Sequence, residues 1–183
     1  MYPFVRMAWQ VWRHRADGPM SLTETHVSHH LCLPWDLDVF GEMNNGRILT
    51  LMDLGRFTAS WRLGLIAALR RHRWGFAVAG VSVRYRRRIP PFARIEMRSR
   101  LATWDDRFFY VVQEMWTDSD CSCQALLRTA VTARDPRPDG ARSVPTGEVL
   151  AALDRRDPRP EPPAWIAAWI EAEAARPWPP ERR

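Results

Sequence analysis

Between Gly46 and about Arg71 the chain places Ile48, Leu49, Leu51, Met52, Leu54, Phe57, Trp61, Leu63, Leu65 and Ile66 on more than one face of a helix. A helix apolar over so much of its circumference must be buried on several sides. Asn44 or Asn45 can cap its start, because an Asn side-chain oxygen accepts from the first free backbone N–H groups. A long helix wrapped by a curved sheet meets this requirement, and the rest of the chain offers the sheet. Residues 22–33, LTETHVSHHLCL, have the length and β-branched content of a first strand. After Trp74 come four extended segments, WGFAVAGVSVRYRRRI, ARIEMRSRLATW, RFFYVVQEMWT and CSCQALLRTAVTAR. They are separated by Pro90-Pro91, Asp105-Asp106 and Asp118-Ser119-Asp120. Ile95, Met97, Ser99 and Leu101 alternate with Arg94, Glu96, Arg98 and Arg100, which gives that strand one dry and one wet face. Strand, long helix, then four strands in antiparallel succession is an α+β pattern.

With 183 residues, 46% of them hydrophobic, the chain suits one domain with short appendages. The expected division is an N-terminal helical extension over 1–17, the helix-and-sheet domain over 22–135, and a Pro/Arg-rich extension over 136–183. In the first of these, Phe4, Ala8, Val11 and Val5, Trp9, Trp12 fall at helical spacing, interrupted by Arg6 and without the cleavage site of a signal peptide. Packing on the domain or on a partner subunit is the favoured expectation for this helix. Weak contact with a membrane surface is the alternative, since Trp and Arg suit that interface. The last extension carries short helices at about Thr146–Arg155 and Pro163–Ala175, with a frayed end over 177–183.

Charge and ligand-type residues exclude more than they suggest. The 27 basic residues against 21 acidic are all arginine and are spread from Arg6 to Arg183, with no nucleic-acid motif, so a nucleic-acid partner is not expected. Cys32, Cys121 and Cys123 are too few for a disulfide framework and complete no zinc site. They read as reduced packing residues of a cytoplasmic protein. His26 and His30 can share a strand face, but no third ligand stands at a metal spacing, so neither a metal nor a cofactor is expected.

The motif-bearing segment is PWDLDVFGEMNNGRILTLMDLGR. It resembles the four-hydroxybenzoyl-CoA thioesterase-like families, in which an acidic residue and a short glycine-containing loop precede the central helix. Within them it resembles the branch called thioesterase superfamily member six. Its pattern is met by Leu33, Pro34, Asp36, Leu37, Asp38, Met43, Asn44, Asn45, Arg47 and Leu49, and again by Trp104, Asp105, Asp106, Arg107, Phe109 and Tyr110. The resemblance covers most of residues 22–135. It implies a single hotdog domain, a long central helix wrapped by an antiparallel sheet, with short terminal helices. It also implies hydrolysis of a fatty or aromatic acyl-CoA to free acid and CoA, by a homodimer or homotetramer with its site between subunits.

Carried onto this chain, the resemblance makes Asp38 the general base or nucleophile, with the backbone N–H of Asn45 or Gly46 polarising the thioester carbonyl. A helix start offers unpaired donors and partial positive charge for that task. Asp53, seven residues after Gly46 and about 10 Å deeper along the helix, is the second candidate carboxylate; pairing with Arg56 is its structural alternative. Phe40, Glu42, Asn44 and Arg47 are candidate substrate contacts in the same segment. Arg84, Arg86 and Arg88, on one strand face, are candidates for the phosphates of CoA. Phe40 and Glu42 stand where plant-type hydrolases carry Asn and His, which favours the alternative of a non-hydrolytic acyl-CoA or lipid-binding protein.

Overall fold

A computed structural model describes residues 2–136, 140–177 and 179. In it the buried helix forms in two pieces. Helix α2, Asn45–Arg62, begins under the Asn44 cap and ends at Leu63, and α3, Leu65–His72, follows. The single helix expected to run to about Arg71 is broken at Gly64, whose φ of 80° lies in the left-handed region that glycine enters without a Cβ penalty. The break lets Leu65 and Leu69 pack beside Trp104, Phe109 and Val131.

Among the described residues six strands form one antiparallel sheet: β1 His26–Leu31, β2 Trp74–Tyr85, β3 Arg94–Trp104, β4 Phe109–Thr117, β5 Asp120–Ala133 and the two-residue β6 Ser143–Val144. Their order is β1-β3-β4-β5-β2, with β6 beside β5. The expected succession of neighbours therefore holds for β3, β4 and β5 and fails for β2, which pairs with β5 at the far edge. The cause lies in the connection from Arg86 to Ala93. Pro90 and Pro91 bring no N–H to a ladder, and Ile89 is buried and accepts from Met43 N–H at 2.9 Å, which draws the chain across the start of α2.

On the concave face, Leu51, Met52 and Leu54 of α2 lie against Ile95, Met97, Met115 and Ala125, all without exposed surface. The approach is closest at Gly55, where a Cβ would stand 2.5 Å from Met97 Sδ. Helix α1, Phe4–Arg13, lies along α2 and β1, with Tyr2 and Met7 against this core. Helix α4, Thr146–Ala152, closes the opposite end with Val149 and Leu150. Helix α5, Ala164–Ala175, covers the convex face: Ile166 is fully buried among Ala102, Tyr110, Val112 and Leu126. That cover explains why the dry and wet alternation of β3 stops at its bulge between Leu101 and Thr103, beyond which both faces are buried. The fraying expected over 177–183 falls mostly on residues outside those described.

Candidate active site

The loop between β1 and α2 is organised by two aspartates with opposite surroundings. Asp36 closes a short 3-10 turn, Pro34–Asp36, and its side chain has no exposed surface. One carboxylate oxygen accepts from Leu33 N–H at 3.0 Å and meets Arg6 Nη1 at 2.8 Å; the other accepts from Arg47 Nε and Nη2 at 3.0 and 2.7 Å. Burial by itself would raise this carboxyl, but the Leu33 amide, Arg47 and Arg6 together outweigh it and hold the group below the usual carboxylate range. The Asp36 carbonyl also accepts from Asn44 N–H at 2.8 Å. Asp36 thus ties the loop to both α1 and the start of α2. Arg47, expected among the substrate contacts, is turned onto Asp36 instead.

Asp38 is tied on one side only. Its Oδ1 accepts from Phe40 N–H at 2.8 Å and, at 3.5 Å, from Glu42 N–H, while Oδ2 has no partner among the described residues. Asp38 N–H donates to Glu42 O at 2.8 Å, and a bridge between Leu37 and Met43 closes the loop below. Gly41, at φ 74°, makes the return possible. Val39 and Phe40 are left at the loop tip, 93% and 80% exposed. Glu42 is ion-paired through Oε2 with Arg88 Nε at 3.0 Å.

The first turn of α2 has few donors to offer. Gly46 N–H is committed to Asn44 Oδ1 at 2.8 Å, and Arg47 and Ile48 N–H both go to Asn44 O. Asn44, expected to touch substrate, uses its side chain as the helix cap. Asn45 N–H has no acceptor among the described residues. Of the two amides expected to polarise a carbonyl, Asn45 is therefore open and Gly46 is occupied.

Arg84, Arg86 and Arg88 do not form one group. β2 ends at Tyr85, after which Arg86 and Arg87 N–H both donate to Ser122 O. Arg84, Arg86 and Arg87 border one depression with Cys121 and Gln124, while Arg88 departs to Glu42.

Asp53 sits in a different network. Arg56 Nη2 lies 2.5 Å from its Oδ1, and Tyr2 OH donates to its Oδ2 at 3.0 Å. Burial first, and then the Asp53 charge, push the Tyr2 phenol up to about 12. Buried Arg56 continues to Gln113 Oε1 at 2.6 Å, and Gln113 Nε2 donates to Met52 O and Ser99 Oγ, both at 2.8 Å. Gln113 was the residue to notice in the sequence, an amide in the middle of the apolar strand RFFYVVQEMWT. Beyond Gly55 an apolar cavity of about 70 Å³ opens between α2, the sheet and α4, lined among others by Ala59, Leu63, Phe76, Leu101 and Leu150. The second motif, from Trp104 to Tyr110, proves to be a turn: Asp105 accepts from Arg107 N–H, Phe108 N–H and Tyr110 OH. Among the described residues no cluster of three or more His, Cys, Asp or Glu is placed to hold a metal.

A long helix held in the concave face of an antiparallel sheet, with a carboxylate-bearing loop at its entrance, is the hotdog fold. The chain belongs to the thioesterase-like superfamily, whose family model matches residues 32–170. It is 30% identical over 171 residues to Protein THEM6 of Drosophila melanogaster, covering 92% of this chain and 84% of that protein. Among solved structures, the probable thioesterase YbaW of Escherichia coli superposes with a TM-score of 0.63 at 17% identity, over 70% of this chain and 96% of its own. A Staphylococcus aureus protein solved in complex with CoA superposes with a TM-score of 0.62 at 8% identity, over 88% of this chain and 94% of its own. At these identities the two solved structures speak to the fold alone, and the thioesterase-like assignment rests on the family model. No helix among the described residues is long and apolar enough to cross a membrane.

Proposed function

We propose that the chain is an acyl-CoA thioesterase, hydrolysing a fatty or aromatic acyl-CoA to free acid and CoA in the cytoplasm, as a homodimer or homotetramer. The observation that carries this reading is the contrast among three carboxylates. Asp36 is closed by Arg6 and Arg47, Asp53 by Arg56 and Tyr2, and Asp38 keeps Oδ2 free on the loop leading to the open Asn45 N–H. In the proposed reaction Asp38 takes a proton from water as the water oxygen adds to the thioester carbonyl. The Asn45 N–H and the positive end of α2 stabilise the oxyanion, its collapse breaks the C–S bond, and the proton held by Asp38 passes to the departing thiolate to release CoA and restore the carboxylate. Arg88 offsets the charge of Glu42, so that a second anion near the loop is less opposed. Arg84 and Arg86 receive the phosphates of CoA; the Staphylococcus aureus neighbour in complex with CoA supports CoA as a ligand, without bearing on these two arginines.

A second reading, a protein that binds acyl-CoA or lipid without hydrolysing it, is favoured by Phe40, a side chain without hydrogen-bonding capacity at the tip of the loop. Incubating the purified chain with a panel of fatty and aromatic acyl-CoAs, and following free thiol, separates the two. Release of CoA is expected, with Asp38→Asn lowering kcat/KM by about 10² to 10³ and Asp53→Asn having the smaller effect. Tight binding with no thiol released would overturn the hydrolase reading.

A further inference from the structure

Helix α1 turns only part of its apolar surface inward. Met7 packs on the core, but the most deeply buried positions are polar: Gln10, 4% exposed, donates through Nε2 to His29 O at 2.8 Å, and His14, which ends the helix, is 7% exposed and bound to Asp17. Arg6 bridges to Asp36 and donates to Leu31 O at 3.0 Å. Its outward positions are apolar: Phe4 is 64% exposed, Val5 85%, Trp9 53% and Trp12 52%. Trp9 and Trp12 stack at 4.9 Å, and the Arg15 guanidinium lies 4.3 Å over the Trp12 ring.

The apolar surface continues beyond the helix. Trp9, Arg13, Leu31, Arg94 and Trp116 border one groove between α1 and the neighbouring strands. Phe92 N–H donates to Cys32 O beside Leu31, and Phe92, Leu31 and, a short turn away, Trp35 are also exposed. Helix α1 has no acidic residue, and the turn after it adds Arg15. The nearby acids are Asp36, sealed by Arg6 and Arg47; Asp17, held by His14; Glu96, held by Arg98; and Asp118, at the far side of the groove.

We propose that this face lies on an anionic lipid surface, with Phe4, Val5, Trp9 and Trp12 among the acyl and headgroup layers and Arg13 and Arg15 on the lipid phosphates. Aromatic side chains bordered by arginine on one helix face, with the polar contacts turned toward the protein, match the physical demands of that interface. A second copy of the chain is a poorer occupant, because pairing this face with itself gathers Arg13 and Arg15 of both copies while Asp17 and Glu96 are already held and Asp118 stands across the groove. The inference is independent of the hydrolase reading.

The test is cosedimentation of the full chain with vesicles of mixed phosphatidylglycerol and phosphatidylcholine, and with vesicles of phosphatidylcholine alone. The protein is expected to sediment with the first, weakly with the second, and to be released by salt. Arg13→Gln with Arg15→Gln should weaken binding to the anionic vesicles about tenfold or more, while leaving binding to phosphatidylcholine unchanged. Trp9→Ser with Trp12→Ser should weaken both. Circular dichroism and turnover of a short, freely soluble acyl-CoA should match the parent in every variant, so that a failed hydrolase reading cannot be mistaken for failed lipid binding. Parent protein left in the supernatant, or variants that sediment equally well, would overturn the proposal. So would a smaller oligomer on light scattering of the Trp variant, which would mean that a second copy covers the face.

Discussion

At the scale of single residues, two aspartates separated by one leucine have unlike fates, and nothing in their spacing tells them apart. The motif DLD marks both. What distinguishes them is Arg6, thirty positions away on α1, which joins Arg47 in sealing Asp36. Removing one partner of a buried ion pair leaves uncompensated charge, so Asp36→Asn is expected to cost about 3 kcal/mol of stability, read as a lower urea midpoint at unchanged slope. An unchanged midpoint would show that Asp36 does not hold the loop to α1 and α2. The i, i+3 spacing of Asp53 and Arg56 makes their contact legible in the sequence. The addition of Tyr2 and Gln113 is not, because both contacts span more than fifty residues.

At the scale of elements, β1 and α1 meet through histidines. The ring of His26 stands 4.7 Å from that of His14, with Arg62 Nη1 3.2 Å from its Nδ1; His30 contacts Ser28 Oγ at 3.0 Å and Gln10 Nε2 at 3.5 Å. Arg62 can only donate, so the His26 Nδ1 it faces must be the unprotonated nitrogen. Burial, reinforced by His14 and Arg62, pushes His26 down to about 4. Burial, reinforced by Arg6 and His29, pushes His30 down to about 3. A histidine whose folded pKa is depressed contributes stability that is whole above its unfolded pKa of about 6.5. That stability is lost as pH falls from there toward the folded values, because the unfolded chain takes up the proton first. Urea midpoints measured between about pH 7 and pH 5 should therefore decline steadily, and His26→Asn with His30→Gln should flatten the decline. A slope that survives both substitutions would assign the effect to other groups. The alternation of buried and exposed residues along β1 was readable from the sequence as a shared face for His26 and His30. The break at Gly64 was not, since the apolar pattern runs straight through it and only the packing of Leu65 and Leu69 against the sheet requires the turn.

At the scale of the whole molecule, helix and sheet were legible because apolar periodicity records them, whereas strand order was not, because it depends on where a connection is pulled. The order matters most at β2, which it places on the edge of the sheet with most of its side chains exposed. Its register with β5 sets Phe76, Val78, Val81 and Tyr85 opposite Val131, Thr129, Leu127 and Cys123, and so on the same face as α2. All four are exposed. A twelve-residue edge with an apolar face invites pairing with another strand unless it is blocked. Two copies joined antiparallel about a twofold axis would continue the sheet and cover both stripes at once. That arrangement is the homodimer proposed here, and it predicts that the purified chain scatters light as a dimer. Val78→Lys with Val81→Lys would bring four like charges together across the twofold and should yield monomers at the same concentration. If the site is completed across the interface, thiol release should fall with the dimer, and should recover in part as protein concentration is raised. A parent chain that is monomeric at concentrations far above those of the activity assay, or a variant that remains dimeric, would remove β2 as the interface.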